Sequence, residues 1–271
     1  MKKLRAIALS TVTVASMLAL AACGGGSSTT KPAGAASSLS KASASASAPP
    51  GTLTASSALT IVSHAVLGNG DLGDGWSGRL IDDGGTTDSP TLDTCDISFP
   101  SETLRLARNQ TELDSRTVDV SNEVVAYKPG GAKQAMAELV ASLTTCSGKP
   151  QDNGEGTDSY RLTFKRLTPH ASWGTDSVAV SYTATDLTDP SNSYNGYSVF
   201  VVNGDLISGV YDWDGPVTQD LIFQVADLAA KRLSEAIADQ PRTTASIPVP
   251  PGPPLPTDEP SDGTGGGGSS I

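Results

Sequence analysis

The sequence predicts an α+β domain: a central antiparallel sheet with helices packed on one face, a single domain between disordered tails. Three observations predict it. Alternating β-rich runs crowd the stretch from Tyr160 to Trp213, at the period of two that half-buried strands show. Amphipathic helical patterns stand before and after that stretch, at about 132–146 and from Pro216 onward. Both ends of the chain lack the apolar residues a core needs.

At the start, Lys2, Lys3 and Arg5 precede an uncharged run from Ala6 to Ala22. A basic start, an apolar run and small residues before Cys23 make residues 1–22 a secretory signal peptide. Leu20-Ala21-Ala22-Cys23 resembles the bacterial lipobox, in which the cysteine is lipidated and becomes the first residue after cleavage. The resemblance implies that Cys23 is the acylated thiol and Gly24 its small neighbour. The alternative is an ordinary signal peptide followed by a free cysteine. A multiply acylated cysteine supplies the several chains that stable membrane attachment needs. The expected place is therefore the outer face of a bacterial cytoplasmic membrane, with the membrane itself a partner through Cys23.

Residues 23–52 are the lipidated cysteine and a tether of Ser, Ala, Gly, Thr and Pro. Such a coil holds a domain roughly 30 Å from its anchor. Residues 53–240 form the domain. Ser56 or Ser57 caps a first helix with Leu59, Val62, Ala65 and Val66 on one side. Asn69-Gly70 and Gly73-Asp74-Gly75 end it in turns. A strand follows over Trp76–Ile81. "DSPTLDTCDISFP" reads as loop around Cys95, and "RTVDVSNEVVAY" (116–127) as a strand with a polar interruption. Pro129-Gly130-Gly131 opens a helix whose Ala132, Ala135, Met136, Leu139, Val140 and Leu143 keep the helical period, with Cys146 at its end.

"YRLTFKRL", "SVAVSYTATDL" and "GYSVFVVNGDLISGVYDW" then alternate as strands. The last is a hairpin centred on Asn203-Gly204, residues that a tight turn prefers where φ is positive. It pairs Tyr197–Val202 with Asp205–Trp213. Its Phe200 face is expected to meet Leu221, Val225 and Leu228 of a closing helix from Pro216 to about Asp239. Residues 241–271, with "IPVPPGPPLP" and "GTGGGGSSI", read as a Pro/Gly-rich disordered tail. A spacer is the favoured role and a polyproline ligand the other.

Charge narrows the partners. The chain carries 18 basic and 29 acidic groups, and loss of Lys2, Lys3 and Arg5 leaves a net charge of −14. That surface repels nucleic acid, so none is expected as a partner. After the anchor only Cys95 and Cys146 remain, and an even pair in an exported chain suggests one disulfide. Two free thiols are the alternative.

No chemistry announces itself. The two histidines, His64 and His170, lie far from either cysteine and stand in no metal spacing. There is no G-x-S-x-G elbow, H-E-x-x-H or phosphate loop. "DNGEGTD" (152–158) and "DWDG" (212–215) offer oxygens for calcium but lack the EF-hand spacing, and solvated turns are the favoured reading. Asn109 heads a sequon that bacteria rarely use. No cofactor, metal or catalytic residue is expected. The candidate ligand cleft is where Trp213 faces loops around Trp76 and Trp173, with core-rim positions for these indoles as the alternative.

"AVLGNGDLGDGW", "SNEVVAYKPGGAKQAMAELVASLTTC" and "SVFVVNGDLISGVYDWDGPVTQDLIFQVADLAAKRLSEAI" together resemble the extracellular sensor domain of PknH-type receptor kinases and the lipoproteins related to it. The resemblance spans most of 53–239. It implies an α+β domain with a central antiparallel sheet and a ligand cleft, and matches Cys95 and Cys146 to one cysteine pair. The second pair of that family is absent here, and so is any kinase region. The expected function is a non-enzymatic, membrane-anchored extracytoplasmic lipoprotein that binds or senses a small ligand at the envelope. A structural or assembly role through contact with an envelope protein is the alternative, and a hydrolase is disfavoured by the sparse histidines.

Overall fold

The structure is a computed structural model. It describes residues 53–252 apart from 93, 94, 96, 153–157, 175 and 215, and apart from the side chains of 152, 158, 159, 213 and 214. Cys23, the signal and tether segments, and residues 253–271 lie outside the described residues.

One sheet of eight strands organises the domain, and every pairing is antiparallel. In chain order the strands are β1 (Trp76–Leu80), β2 (Arg105–Ser115), β3 (Asp119–Tyr127), β4 (Pro150–Asp152), β5 (Asp158–Leu167), β6 (Val178–Asp186), β7 (Ser193–Asn203) and β8 (Leu206–Asp214). Their order across the sheet is β1-β2-β3-β8-β7-β6-β5-β4. Two meanders thus meet where β8 pairs with β3. The helices are α1 (Ala55–Ala65), α2 (Gly131–Thr145) and α3 (Gln219–Ile237). The α+β class, the single sheet and the single folded domain agree with the sequence reading. No helix among the described residues is long and apolar enough to cross a membrane.

Helix ends follow the capping chemistry. Thr54, two or three residues earlier than expected, caps α1 in a reciprocal box with Ser57. Thr218 caps α3 by accepting from the Leu221 amide. Gly130, at φ 80°, supplies the left-handed residue that turns β3 into α2.

The helices divide between the two faces. Of the helices expected together on one face, α1 and α3 share it, where Val62, Ala65, Val124, Ala126 and Leu233 pack together, and α2 departs from it. α2 lies on the other face, over Val125, Val178, Val180, Phe200 and Ile207. This corrects the hairpin: Val199, Val201 and Val210, not Phe200, meet Leu221, Val225 and Leu228 of α3. The reason is α2, whose Ala135, Met136 and Leu139 need an apolar floor of their own and take Phe200. The turn is also one residue later than expected. Asn203 pairs with Leu206, so Gly204 (φ 62°) and Asp205 are its central residues, and Gly is the preferred first position of such a turn.

The folded unit also extends beyond the expected boundary at Gln240. Residues 241–252 run extended along the α3 face: the Ala245 and Ile247 amides donate to the carbonyls of Asp71 and Leu72. Ile247 is buried in the α3-side core. Prolines exclude a helix here, yet the alternate residues 243, 245, 247 and 249 still turn inward.

Cys95 and Cys146 form the expected disulfide, with Cα atoms 6.3 Å apart. It ties the long connection after β1 to the end of α2. By loop-closure entropy a loop of this length, 51 residues in separation, is worth about 4 kcal/mol.

Candidate functional site

Antiparallel register decides what shares the α2 face. On β2 it carries Arg108, Gln110, Glu112 and Asp114; opposite them on β3 stand Val125, Glu123, Ser121 and Asp119. β8 adds Ile207, Gly209 and Tyr211, and β7 adds Phe200, Ser198 and Gly196. β6 continues the face with Val178, Val180 and Tyr182. One end of this face is apolar and lies under α2. The other end is polar and carries the candidate site.

Charge and hydrogen bonds gather that polar end into two sets. Arg108 Nε donates to Glu123 Oε1 at 2.5 Å, its Nη1 to the Asp83 carbonyl at 3.0 Å, and its Nη2 to Gln110 Oε1. Gln110 Nε2 passes the chain to Ser121 Oγ at 2.8 Å. Tyr211 Oη takes the second oxygen of Glu123 at 2.7 Å. In the second set, Tyr182 Oη donates to Asp212 Oδ1 at 2.7 Å, and the Tyr197 amide to the same oxygen at 3.0 Å. A register shift in β8 near Asp212 re-aims this carboxylate.

Two strand glycines make the room. A Cβ on Gly209 would overlap the Tyr211 ring, and one on Gly196 would overlap Tyr182 and sit 2.5 Å from Asp212 Oδ2. Each tyrosine therefore lies across a glycine to reach its carboxylate. Tyr194, 59% exposed, packs edge-on to Tyr182 with ring centres 6.2 Å apart. Toward the β1 edge, the carboxylates of Glu112, Asp114 and Asp119 lie within 4.8 Å of one another. Arg79 pairs with Glu112 and reaches Asp114 at 3.8 Å.

Burial sets the protonation of these groups. It pushes the Tyr182 phenol well above its ordinary value, and the Asp212 charge adds to the effect. Tyr211 is raised in the same way, by burial and then by Glu123. Burial also raises Asp212 against the pull of its Tyr182 and Tyr197 donors. Glu112 is raised by burial and then by Asp114, with Arg79 opposing. The face so made is acidic and tyrosine-lined.

The indoles expected to line a cleft are placed otherwise. Trp76 is buried in the α3-side core, and its Nε1 donates to the Ile247 carbonyl at 2.8 Å. Trp173 belongs to the same core, and its Nε1 donates to Asp227 Oδ1 at 2.6 Å. Core packing is the role the structure assigns to both, because each indole N–H is satisfied internally. Trp213 belongs to β8, and its side chain lies outside the described residues. His170 Nδ1 also meets Asp227 Oδ1, at 3.0 Å. Trp173 itself, with Ser172, Asn203 and Ser234, lines a recess of about 210 Å³ that Trp76 does not reach. That is smaller than the roughly 300–1,000 Å³ of typical ligand pockets.

Of the residues read from sequence, the structure thus joins Cys95 to Cys146, and it puts Trp76 and Trp173 into the core. Of the polar-face network, sequence reasoning marks Asp212 alone, within "DWDG", and as a calcium candidate; the structure instead has its Oδ1 accept from Tyr182 and the Tyr197 amide. The available signal was a glycine inside each of two strand patterns, "YNGYSVF" and "ISGVYDW", since strand glycines mark close approach.

No family model matches the chain, and no curated protein matches it. Among solved structures, the fold is similar to the extracellular domain of PknH from Mycobacterium tuberculosis: TM-score 0.45, 13% identity, 66% of this chain and 95% of that one. It is also similar to the Rv0999 ortholog from Mycobacterium smegmatis: TM-score 0.33, 12% identity, again 66% of this chain and 95% of that one.

Proposed function

We propose that this chain is an extracytoplasmic binding protein, lipid-anchored through Cys23, whose polar sheet face contacts a hydrogen-bonding or cationic ligand of the cell envelope. The role is binding or sensing, not catalysis. The observation that carries the reading is the buried Arg108–Glu123 pair with half-buried Tyr211, beside the half-buried Tyr182–Asp212 pair, on one face of the sheet. Apolar side chains would serve stability there at least as well, because burying charge costs several kcal/mol per ion even when it is paired. Retaining such a set suits a surface that must present fixed polar groups.

The anchor rests on the basic start and the Leu20–Cys23 motif, and one disulfide is in keeping with an exported chain. Two experiments test the two halves. Cys23→Ala should move the protein from the membrane fraction to the soluble one, and unchanged fractionation refutes the anchor. Hydrogen exchange of the mature chain, with and without added envelope extract, should show new protection at 194–198 and 209–212. Protection confined to other segments refutes the site.

A further inference from the structure

The segment 241–252 looked like a spacer, yet its contacts are those of a bound peptide. It lies on the opposite face of the sheet from the polar network. Its prolines, Pro248, Pro250 and Pro251, fix φ and hold Ile247 and Val249 extended. The domain reads this extended backbone from several directions. The carbonyls of Asp71 and Leu72 accept the Ala245 and Ile247 amides, both at 2.8 Å. Trp76 Nε1 donates to the Ile247 carbonyl at 2.8 Å, and Thr117 Oγ1 donates to the Pro250 carbonyl at 2.9 Å. Those two carbonyls are three residues apart, the repeat at which a proline-fixed chain returns to one side. An indole N–H set against a proline-rich backbone is the chemistry of grooves that recognise such ligands.

The groove is shaped to its occupant. Gly73 and Gly75 both have positive φ and no side chain. A Cβ on Gly73 would sit 3.1 Å from the Ala245 carbonyl oxygen, and one on Gly75 would sit 2.9 Å from Val249 Cγ2. Ile247 is the buried anchor, at 4% exposure. Upstream, charge fixes the register. Arg242 Nη2 meets Asp71 Oδ2 at 2.7 Å, beside the buried pair of Asp71 with Arg232, and the Thr243 amide donates to Glu235 at 2.9 Å. The segment joins no strand ladder. It can leave without breaking the sheet.

We propose that the groove formed by Asp71, Leu72, Gly73, Gly75, Trp76 and Thr117 is a recognition site for an extended, proline-containing segment, filled in cis by residues 243–250 as a removable internal ligand. The partner it fits is a peptide with a β-branched apolar residue directly before a proline, presented extended by another envelope polypeptide. Binding that partner displaces the chain's own segment.

The test uses the full-length chain and a fluorescein-labelled peptide of residues 241–252 as probe. Ile247→Asp removes the anchor of the internal ligand and empties the groove. The variant should stay folded, with sheet amides protected as in the wild type. It should capture the peptide saturably, at least tenfold more tightly than the wild type, whose own segment competes. Adding Trp76→Phe to Ile247→Asp should weaken capture severalfold, because the ring stays and the donor goes. A folded Ile247→Asp chain that captures nothing overturns the proposal. So does equal capture by variant and wild type, which places the peptide elsewhere. Loss of sheet protection in Ile247→Asp also overturns it, since the segment is then an inseparable part of the core.

Discussion

Replacing Gly196 with alanine adds one methyl group at the centre of the polar face. The added Cβ would collide with the Tyr182 ring and hydroxyl and lie 2.5 Å from Asp212 Oδ2. Backbone strain is not part of the effect, because Gly196 is not among the positive-φ glycines. The ring must swing away, and the bond from Tyr182 Oη to Asp212 goes with it. Losing a hydrogen bond to a charged group costs about 1.5–3 kcal/mol. Overpacking a tight site adds about 1–3 kcal/mol, less where a side chain can move aside. The expected loss is therefore about 2.5–6 kcal/mol, toward the lower end if the ring moves aside, read from urea unfolding at neutral pH. Tyr182→Phe alone should lose only the hydrogen-bond part. The double variant should then cost less than the sum, with a coupling of about 1–2 kcal/mol, since both changes break the same bond. A Gly196→Ala chain within 0.5 kcal/mol of wild type, or strict additivity with Tyr182→Phe, refutes this geometry.

Three further outcomes follow from buried groups. Replacing Cys95 and Cys146 together by alanine should destabilise the domain by about 2–5 kcal/mol, measured by chemical denaturation; a Cys95→Ala/Cys146→Ala chain as stable as wild type contradicts the disulfide's role. Asp71→Asn should cost about 3–5 kcal/mol, because it strips the charge from the carboxylate that pairs with buried Arg232 and with Arg242; unchanged stability would mean the pair is idle. Asp212 has a raised folded value, so the folded state holds its proton more tightly and its charge weakens folding as pH rises through that value. Asp212→Asn keeps an acceptor for Tyr182 and Tyr197 and should flatten stability against pH above the ordinary carboxylate range, and an unchanged profile contradicts the raised value.

The hairpin, α2, α3 and the disulfide were legible in the sequence because each rests on local rules: turn residues, period and cysteine count. β2 was not. Arg105–Ser115 reads "RLARNQTELDS", and its face toward the candidate site holds Arg108, Gln110, Glu112 and Asp114. Apolar alternation fails in it because polar residues stand where an ordinary core strand would place apolar ones. The strand that carries Arg108 and Gln110 was thus hidden by the site itself. The tryptophans misled for a related reason: a Trp at a strand end fits a cleft and a core rim equally well, and only long-range partners, Ile247 for Trp76 and Asp227 for Trp173, separate the two. The 241–252 segment was hidden because proline-rich composition signals an extended chain without saying whether anything binds it. The facing of Phe200 depended on which side α2 crosses the sheet, a tertiary choice that alternation alone leaves open.

The central claim is that the polar end of the α2 face binds a ligand. Native mass spectrometry of the mature chain, gently extracted from its own membranes, tests it most directly when wild type and Gly196→Ala are compared. The account predicts a reproducible bound mass on the wild type that is lost from the folded Gly196→Ala chain, because the methyl group disturbs Tyr182 and Asp212 where the ligand sits. A bound mass retained unchanged by Gly196→Ala, or a wild-type chain that carries none, would contradict it.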